Sequence, residues 1–426
     1  MHELRGYVRY RFRSLEDEVD ITLEGDSRWV SAKVSELGLT NVGWTMPLAV
    51  ESQSRSNSSL LFGNKNADKG PQIPPVSYLK WYIPRLKEMR THNLSFSGLQ
   101  FPWDLDSIED VWKDHRGPGI DDREMVSEMY GVPCENVHLC HGATQAINIA
   151  ISAASRGGKV AVEMPSYGPL SQSARVLGLE TIIVRRKPTD AAWIIDREEW
   201  SSVLSQVDLL MICPQLNPVG WSYTEEDREW IIETCRENDV RIISDEVYAA
   251  ADKNWKPMFR EGDNCITLSS LTKVHGLGVI RYGWIIASRE IITNAENTFH
   301  NMAGMMSSPV IRIAEHVRDR LHEPVELIEH YREMNLPVLQ DTLNRVGIKW
   351  NPPPYGVFGA FRVPGIDTMQ MIDTIGKQHG LLAVPGCMFD SGLDDWLRVG
   401  WSIDPKSFAE AASVLETVLR TALDIP

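Results

Sequence analysis

The sequence has no paired cysteine motif, no long apolar run and no excess of basic residues, and each shortage narrows what it encodes. Its six cysteines, at 134, 140, 213, 235, 265 and 387, include no C-x-x-C pair. That argues against a zinc site and against a disulfide framework. Reduced thiols in a cytoplasmic protein, with no metal, are the expectation. No segment approaches the roughly 18 apolar residues of a membrane span. The opening stretch MHELRGYVRYRFRSLEDEVD is charged throughout, unlike a secretory leader. A formal net charge of −15 argues against nucleic acid or an anionic membrane as a general partner. A local basic pocket for a small anion remains compatible with that balance.

What is present reads as a globular chain of more than one domain: 426 residues exceed one simple core. Residues 1–50 alternate apolar and polar positions in GYVRYRF, VDITLEG and WVSAKVS, which predicts two or three short antiparallel strands, a β-rich N-terminal extension. Residues 51–76 are rich in Ser, Asn, Gly and Pro and read as a linker. From about residue 120 the apolar runs GKVAVEM, ETIIVRR, VDLLMICP, VRIISDEV, CITLSSL and YGWIIAS alternate with helical spacing at 144–155, 169–177, 197–205 and 224–237. This alternation predicts an α/β fold with a mostly parallel sheet covered on both faces, and ligands at the carboxyl ends of its strands. Residues 307–345 read as helical with a break at Pro324. GAFRV, WLRVGWS and a closing helix near 406–422 suggest a smaller α+β domain. The expected division is 77–118 as the first part of that small domain, 119–340 as the large domain and 341–426 as the rest of the small one.

Three segments carry residues suited to chemistry. HGATQAINIAIS (141–152) places Gly142, Ala143 and Thr144 at a helix start, where unpaired N–H groups attract anions; taken alone, such a segment is more often just a turn and cap. RIISDEVY (241–248) puts Asp245 at the end of a buried strand, where a charge is costly unless paired, with Tyr248 three residues on. In SSLTKVHGLGVIRYGW (269–284), Lys273 follows a strand and precedes a Gly-rich turn, with Ser270 and Arg281 nearby as anion ligands. Each has a bland alternative: an N-cap, a core tyrosine, a solvated lysine.

Taken in order, Gly142-Ala143-Thr144, Pro165-x-Tyr167, Asn217-Pro218, Asp245-x-x-Tyr248, Ser270-x-x-Lys273, Arg281 and Arg398 resemble the fold-type-I aminotransferases that depend on pyridoxal 5′-phosphate (PLP), from about residue 95 to 420. The eight-residue step from Lys273 to Arg281 is similar to theirs. The resemblance implies the aspartate-aminotransferase fold, a large PLP-binding domain with a smaller α+β domain, and PLP held by Lys273 as a Schiff base. It implies Asp245 at the pyridine nitrogen, Asn217 and Tyr248 at the phenolic oxygen, and Tyr167 stacked on the ring. Phosphate contacts would come from Gly142, Ala143, Thr144, Ser270 and Arg281. Arg398, with Gly98 and Asn217, would hold the substrate, the planar guanidinium suiting a carboxylate. The implied activity moves an amino group between an L-amino acid and a 2-oxo acid, with Lys273, Asp245 and Tyr248 catalytic. A homodimer is implied as well.

The chain departs from that pattern at Pro214-Gln215-Leu216-Asn217-Pro218-Val219-Gly220, where many members have N-P-x-N-P-T-G. The stretch 112–120 lacks the family's cross-subunit tyrosine, leaving Trp112 and His115 as stand-ins. His141 and His275 read as packing or hydrogen-bonding residues rather than catalysts. Phe101, Trp103, Met302, Met305 and Met306 read as core before pocket. The same cofactor site also serves elimination, cyclisation and oxidation. A PLP-sensing regulator would need a basic helix-turn-helix, which acidic, strand-like residues 1–50 do not resemble.

Overall fold

The computed structural model describes residues 7–13, 20–26, 33, 48–49, 75–88, 90–104, 122–259 and 264–425. They fall into two compact units, Met1–Gln72 and Ile73–Pro426. In the first, β1 (Tyr7–Arg13) pairs antiparallel with β2 (Asp20–Asp26), from Tyr7 opposite Asp26 to Arg13 opposite Asp20. The third strand, β3 (Leu48–Ala49), pairs with the other side of β1. It does not come from WVSAKVS, most of which lies outside the described residues, as do residues 51–74 of the expected linker.

The second unit begins with the helix Ser77–Lys87 and the short β4 (His92–Asn93). Then come β5 (Val137–Cys140), β6 (Val160–Met164), β7 (Thr181–Pro188), β8 (Trp193–Ile195), β9 (Leu209–Ile212), β10 (Arg241–Asp245), β11 (Cys265–Ser270) and β12 (Gly283–Ile286). These eight form one sheet in the order β5-β12-β11-β10-β9-β6-β7-β8. The run from β11 to β7 is parallel, while β12 and β8 are antiparallel to their neighbours. Side chains alternate across a strand, so Val160, Val162, Leu209 and Met211 enter one core while Ala161, Leu210 and Ile212 enter another on the opposite face. The helices Ala143–Ala154 and Arg289–Met302 supply the first core; Arg197–Leu204 and Glu225–Glu237 supply the second. Burial on both faces explains why these strands read as nearly unbroken apolar runs.

Local signals set the helix boundaries. The side chain of Thr224 caps Asp227 N–H, and three acidic residues occupy the first turn of Glu225–Glu237 with Arg236 in its last. The break expected at Pro324 falls just before it, at the tight turn Arg318–Arg320. The helix His322–Arg345 then accepts Pro324 in its first turn, where a missing N–H costs nothing. Beyond it, β13 (Phe358–Arg362), β14 (Leu381–Leu382), β15 (Val384–Pro385) and β16 (Trp396–Gly400) precede the closing helix Pro405–Leu423. β13 and β15 flank β16, and β14 pairs with β4.

Candidate functional site

The carboxyl ends of β5, β6, β9, β10 and β11 converge on a cavity of about 280 Å³. Ala143, Thr144, Tyr167, Asn217, Asp245, Tyr248, Ser270, Lys273 and Arg281 all line it, joined by Gly98 and Arg398 from distant parts of the chain. Thus the expected residues, dispersed over 300 positions, meet in one place; Gly142 stands directly behind it.

Most of them are delivered by strand ends of the large sheet. After β5 the backbone turns at Gly142, φ +79°, ψ 168°, a conformation essentially reserved for glycine, and enters the helix Ala143–Ala154. That helix start has no side-chain cap, leaving its first N–H groups to face the cavity. A Cβ on Gly142 would lie 2.6 Å from the Arg281 guanidinium, so glycine is what lets the arginine approach. Gly98 is similar: its Cβ would lie 2.7 Å from the Lys273 carbonyl, which accepts the Leu99 N–H at 2.8 Å.

Asp245 ends β10 and is buried, with one weak hydrogen bond, from Val247 N–H at 3.4 Å. Burial pushes its carboxyl up to about 7, against the pull of that N–H and of the Lys273 charge. Lys273 Nζ donates to Ser97 Oγ at 2.8 Å. Burial, reinforced by the Arg398 and Arg281 charges and opposed by Asp245, lowers its amine to about 8. Tyr248 OH accepts from Asn217 Nδ2 at 3.3 Å, and burial raises its phenol well above the ordinary value. Burial likewise raises Tyr167, to about 12.

Arg398, on β16, is fully buried. One arm of its guanidinium donates to Asn217 Oδ1 at 3.0 Å; the other reaches the Ser95 carbonyl at 2.7 Å and Tyr78 OH at 3.3 Å. The rings of Phe389, Phe358 and Tyr78 surround it at 5.1, 5.2 and 5.6 Å. Its Nε has no partner, and among the described residues no carboxylate pairs with it. A buried charge without a counter-ion is costly, so the site suits an anion arriving from outside. Three cations, Lys273, Arg281 and Arg398, face this cavity with one carboxylate, Asp245. In a chain of net charge −15 that is a local reversal of sign, fitted to a ligand with two anionic groups and a basic ring nitrogen. Those groups match the phosphate and pyridine of PLP and the carboxylate of an amino acid, so the residues fit that cofactor.

Several lining residues were not singled out from sequence. Tyr78 and Tyr82 stack at 5.1 Å, one helical turn apart, and Ser97 holds Lys273. The i, i+4 aromatic spacing was the available signal, though it reads as an ordinary apolar face. His275 lies away from the cavity with Nδ1 against the Leu321 carbonyl at 3.2 Å. His141 packs on Phe299. Trp103 is buried in a separate core against which Phe101 and Met306 pack, while Met302 and Met305 are exposed. Trp112 and His115 lie outside the described residues. Among the described residues there is no cluster able to hold a metal ion and no helix long and apolar enough to cross a membrane.

Comparison with known proteins identifies the family and the fold. The family model for aminotransferase class I and II matches residues 123–415. The aspartate aminotransferase of Streptomyces avermitilis is 24% identical over 319 residues, covering 69% of this chain and 77% of that protein. The histidinol-phosphate aminotransferase of Pyrococcus furiosus is 27% identical over 214 residues, covering 50% of this chain and 61% of that protein. Among solved structures, a PLP-dependent aminotransferase from Streptococcus suis superposes with a TM-score of 0.74 at 19% identity, covering 83% of this chain and 99% of the other. The aspartate-aminotransferase fold is thereby established.

Proposed function

This chain belongs to the class I and II aminotransferases and is a transaminase, and on that premise we propose that Lys273 carries pyridoxal 5′-phosphate and serves amino-acid and 2-oxo-acid substrates. When bound, the cofactor supplies an electron sink that acidifies the substrate Cα–H. Arg281, Ser270 and the open N–H groups at the start of Ala143–Ala154 would hold the phosphate. Asp245, a buried carboxylate with one weak hydrogen bond, would meet the ring nitrogen, whose proton would offset the cost of burying it. Asn217 and Tyr248, already hydrogen-bonded to each other, would hold the phenolic oxygen, and Tyr167, which lines the cavity, would flank the ring. Arg398, steadied by Asn217 and the Ser95 carbonyl, takes the substrate carboxylate, with the Gly98 backbone alongside. Lys273 Nζ, lowered to about 8, is basic enough to take the Cα proton yet largely neutral in mildly alkaline solution.

The observation that carries this reading is the pairing of Lys273 and the buried Asp245 in one cavity that otherwise presents cations. Two further features belong to the proposal. One is a division into a large domain, 119–340, and a small domain, 77–118 with 341–426, supported by a separate core that joins Tyr78, Trp81 and Leu94 to residues 336–419. The other is a cytoplasmic homodimer, which rests on the resemblance to the family and on the six cysteines being free. The test is reduction of the PLP-loaded protein with borohydride, then peptide mapping. The cofactor mass should appear on the peptide containing Lys273; attachment to another lysine, or none, would sink the assignment.

A further inference from the structure

Behind the cavity lies a second set of buried charges that the chemistry above does not use. Arg186 on β7 and Glu163 on β6 are both completely shielded from solvent. Their nearest approach is 3.9 Å, too long for a hydrogen bond, so neither exists chiefly to satisfy the other. Their hydrogen bonds go to the segment that leaves β9. Glu163 accepts Cys213 N–H at 2.9 Å on one oxygen and the Tyr223 hydroxyl on the other. Arg186 spreads its fork across the same segment, donating to the Pro214 carbonyl at 3.0 Å from one arm and to the Trp221 carbonyl at 3.0 Å from the other. The second arm also reaches the Trp193 carbonyl at 3.4 Å, and the guanidinium lies over the Tyr223 ring at 4.5 Å. The two ends of the loop, 213–214 and 221–223, are thus clasped to the sheet.

At the apex of that loop is Asn217. Its own turn is closed by Gly220 N–H to the Leu216 carbonyl and Leu216 N–H to the Trp221 carbonyl, with Cys213 Sγ donating to the Gln215 carbonyl at 3.2 Å. Its amide bridges the two halves of the site, Oδ1 to Arg398 and Nδ2 to Tyr248 OH. A displacement of the loop would loosen both bonds together, since one side chain makes them. This is also where the sequence departs from the N-P-x-N-P-T-G pattern.

We infer that Arg186 and Glu163 form a buried clamp whose function is to position Asn217, and through it both the substrate-carboxylate arginine Arg398 and the Tyr248 contact. Arg186 and Glu163 are positioning residues; neither lines the cavity. The inference rests on the roles proposed above for Asn217 and Arg398. A fork is required because a lysine presents one compact point of charge and cannot span two carbonyls on different sides of a loop.

The test compares Arg186→Lys, Asn217→Ala and the double variant, all loaded with PLP. Two quantities are read: KM for the amino acid, and the pH at which the bound cofactor's visible absorbance changes. Arg186→Lys should raise KM about tenfold with a smaller change in kcat and should move the absorbance midpoint. Its effects should be largely absent when Asn217 is already Ala, because contacts that act through one side chain do not add. Should Arg186→Lys fail to fold, Glu163→Gln, which keeps the size and one acceptor for Cys213 N–H but removes the oxygen that accepts the Tyr223 hydroxyl, carries the same expectation. A lower melting temperature with wild-type KM and absorbance midpoint would overturn the clamp and leave it a structural feature. Full additivity with Asn217→Ala would overturn it equally. If Asn217→Ala alone left both readouts unchanged, the underlying role of Asn217 would fall, whatever Arg186 did.

Discussion

Asp245→Asn should make the cofactor-free protein more stable at alkaline pH while removing its activity. The wild-type carboxyl is displaced from 3.8 to about 7 by burial. A displacement of about 3 pKa units corresponds to roughly 4 kcal/mol between the two protonation states. Asp245 borders a cavity large enough for water, whose screening brings the expected figure nearer to about 2 kcal/mol. The sign follows from the direction. A carboxyl whose folded pKa is raised contributes its full stability below its unfolded value, near pH 4, and loses it as pH rises through about 7. The cofactor-free wild type should therefore melt at progressively lower temperature between about pH 4 and 7 and level off from there to pH 8.5, and Asp245→Asn should not share that loss. Asparagine can still accept the Val247 N–H, so no hydrogen bond is forfeited. Adding PLP should reverse the ranking, since a protonated ring nitrogen supplies the cation that the carboxylate lacks. The assay is thermal unfolding of both proteins across that pH range, with and without PLP. A variant less stable than wild type at pH 8.5 without cofactor would refute the reasoning, because the carboxylate would then be satisfied by the protein itself.

Other perturbations follow from the same geometry. Gly142→Ala places a methyl 2.6 Å from the Arg281 guanidinium at a φ of +79°; backbone strain of about 1–3 kcal/mol is expected, with PLP affinity, measured by equilibrium titration, falling at least tenfold. Arg398→Lys keeps the charge but cannot serve Asn217, Ser95 and an incoming carboxylate together. KM for amino acids should rise thirty-fold or more, for a loss of about 2–5 kcal/mol, while PLP stays bound; lost PLP with unchanged KM would reassign its anion. With Lys273 lowered to about 8, only the neutral amine reacts with PLP. Loading of the cofactor-free protein, followed by absorbance, should quicken about tenfold per pH unit below that value and level off above it; a flat profile from pH 6 to 9 would place the amine elsewhere.

Much of the sheet was legible because its physics is local. GKVAVEM, VDLLMICP and CITLSSL are runs of β-branched and aliphatic residues, and in the structure β6, β9 and β11 bury both faces. Strand ends in such a sheet converge on ligands, but it is the resemblance of the ordered set from Gly142 to Arg281 to the fold-type-I aminotransferases that made those residues readable as neighbours before any coordinates. The remainder depends on contacts between distant segments. Ser97 reaches Lys273 because Leu94 N–H binds the Leu382 carbonyl, Gly400 N–H binds the Leu94 carbonyl and Leu99 N–H binds the Lys273 carbonyl. No periodicity within LSFSGLQ announces those partners. Tyr78 and Tyr82 were hidden differently: their spacing is that of any helix face turned to a core. Arg186 sits in ETIIVRR beside exposed Arg185, and only alternation across β7 decides which of the two is inside. The pairing of β1 with Leu48–Ala49 was not legible either, because alternation alone does not say which segment finds a free edge.

The most direct test is a half-reaction. The PLP-loaded protein is mixed with a single L-amino acid and its visible absorbance followed, then a 2-oxo acid is added, with Lys273→Ala as control. The expected result is loss of the visible band with stoichiometric release of a 2-oxo acid, recovery of the band on adding the second 2-oxo acid, and neither change in Lys273→Ala. Ammonia release without recovery, or an undiminished cycle in Lys273→Ala, would contradict transamination at this lysine.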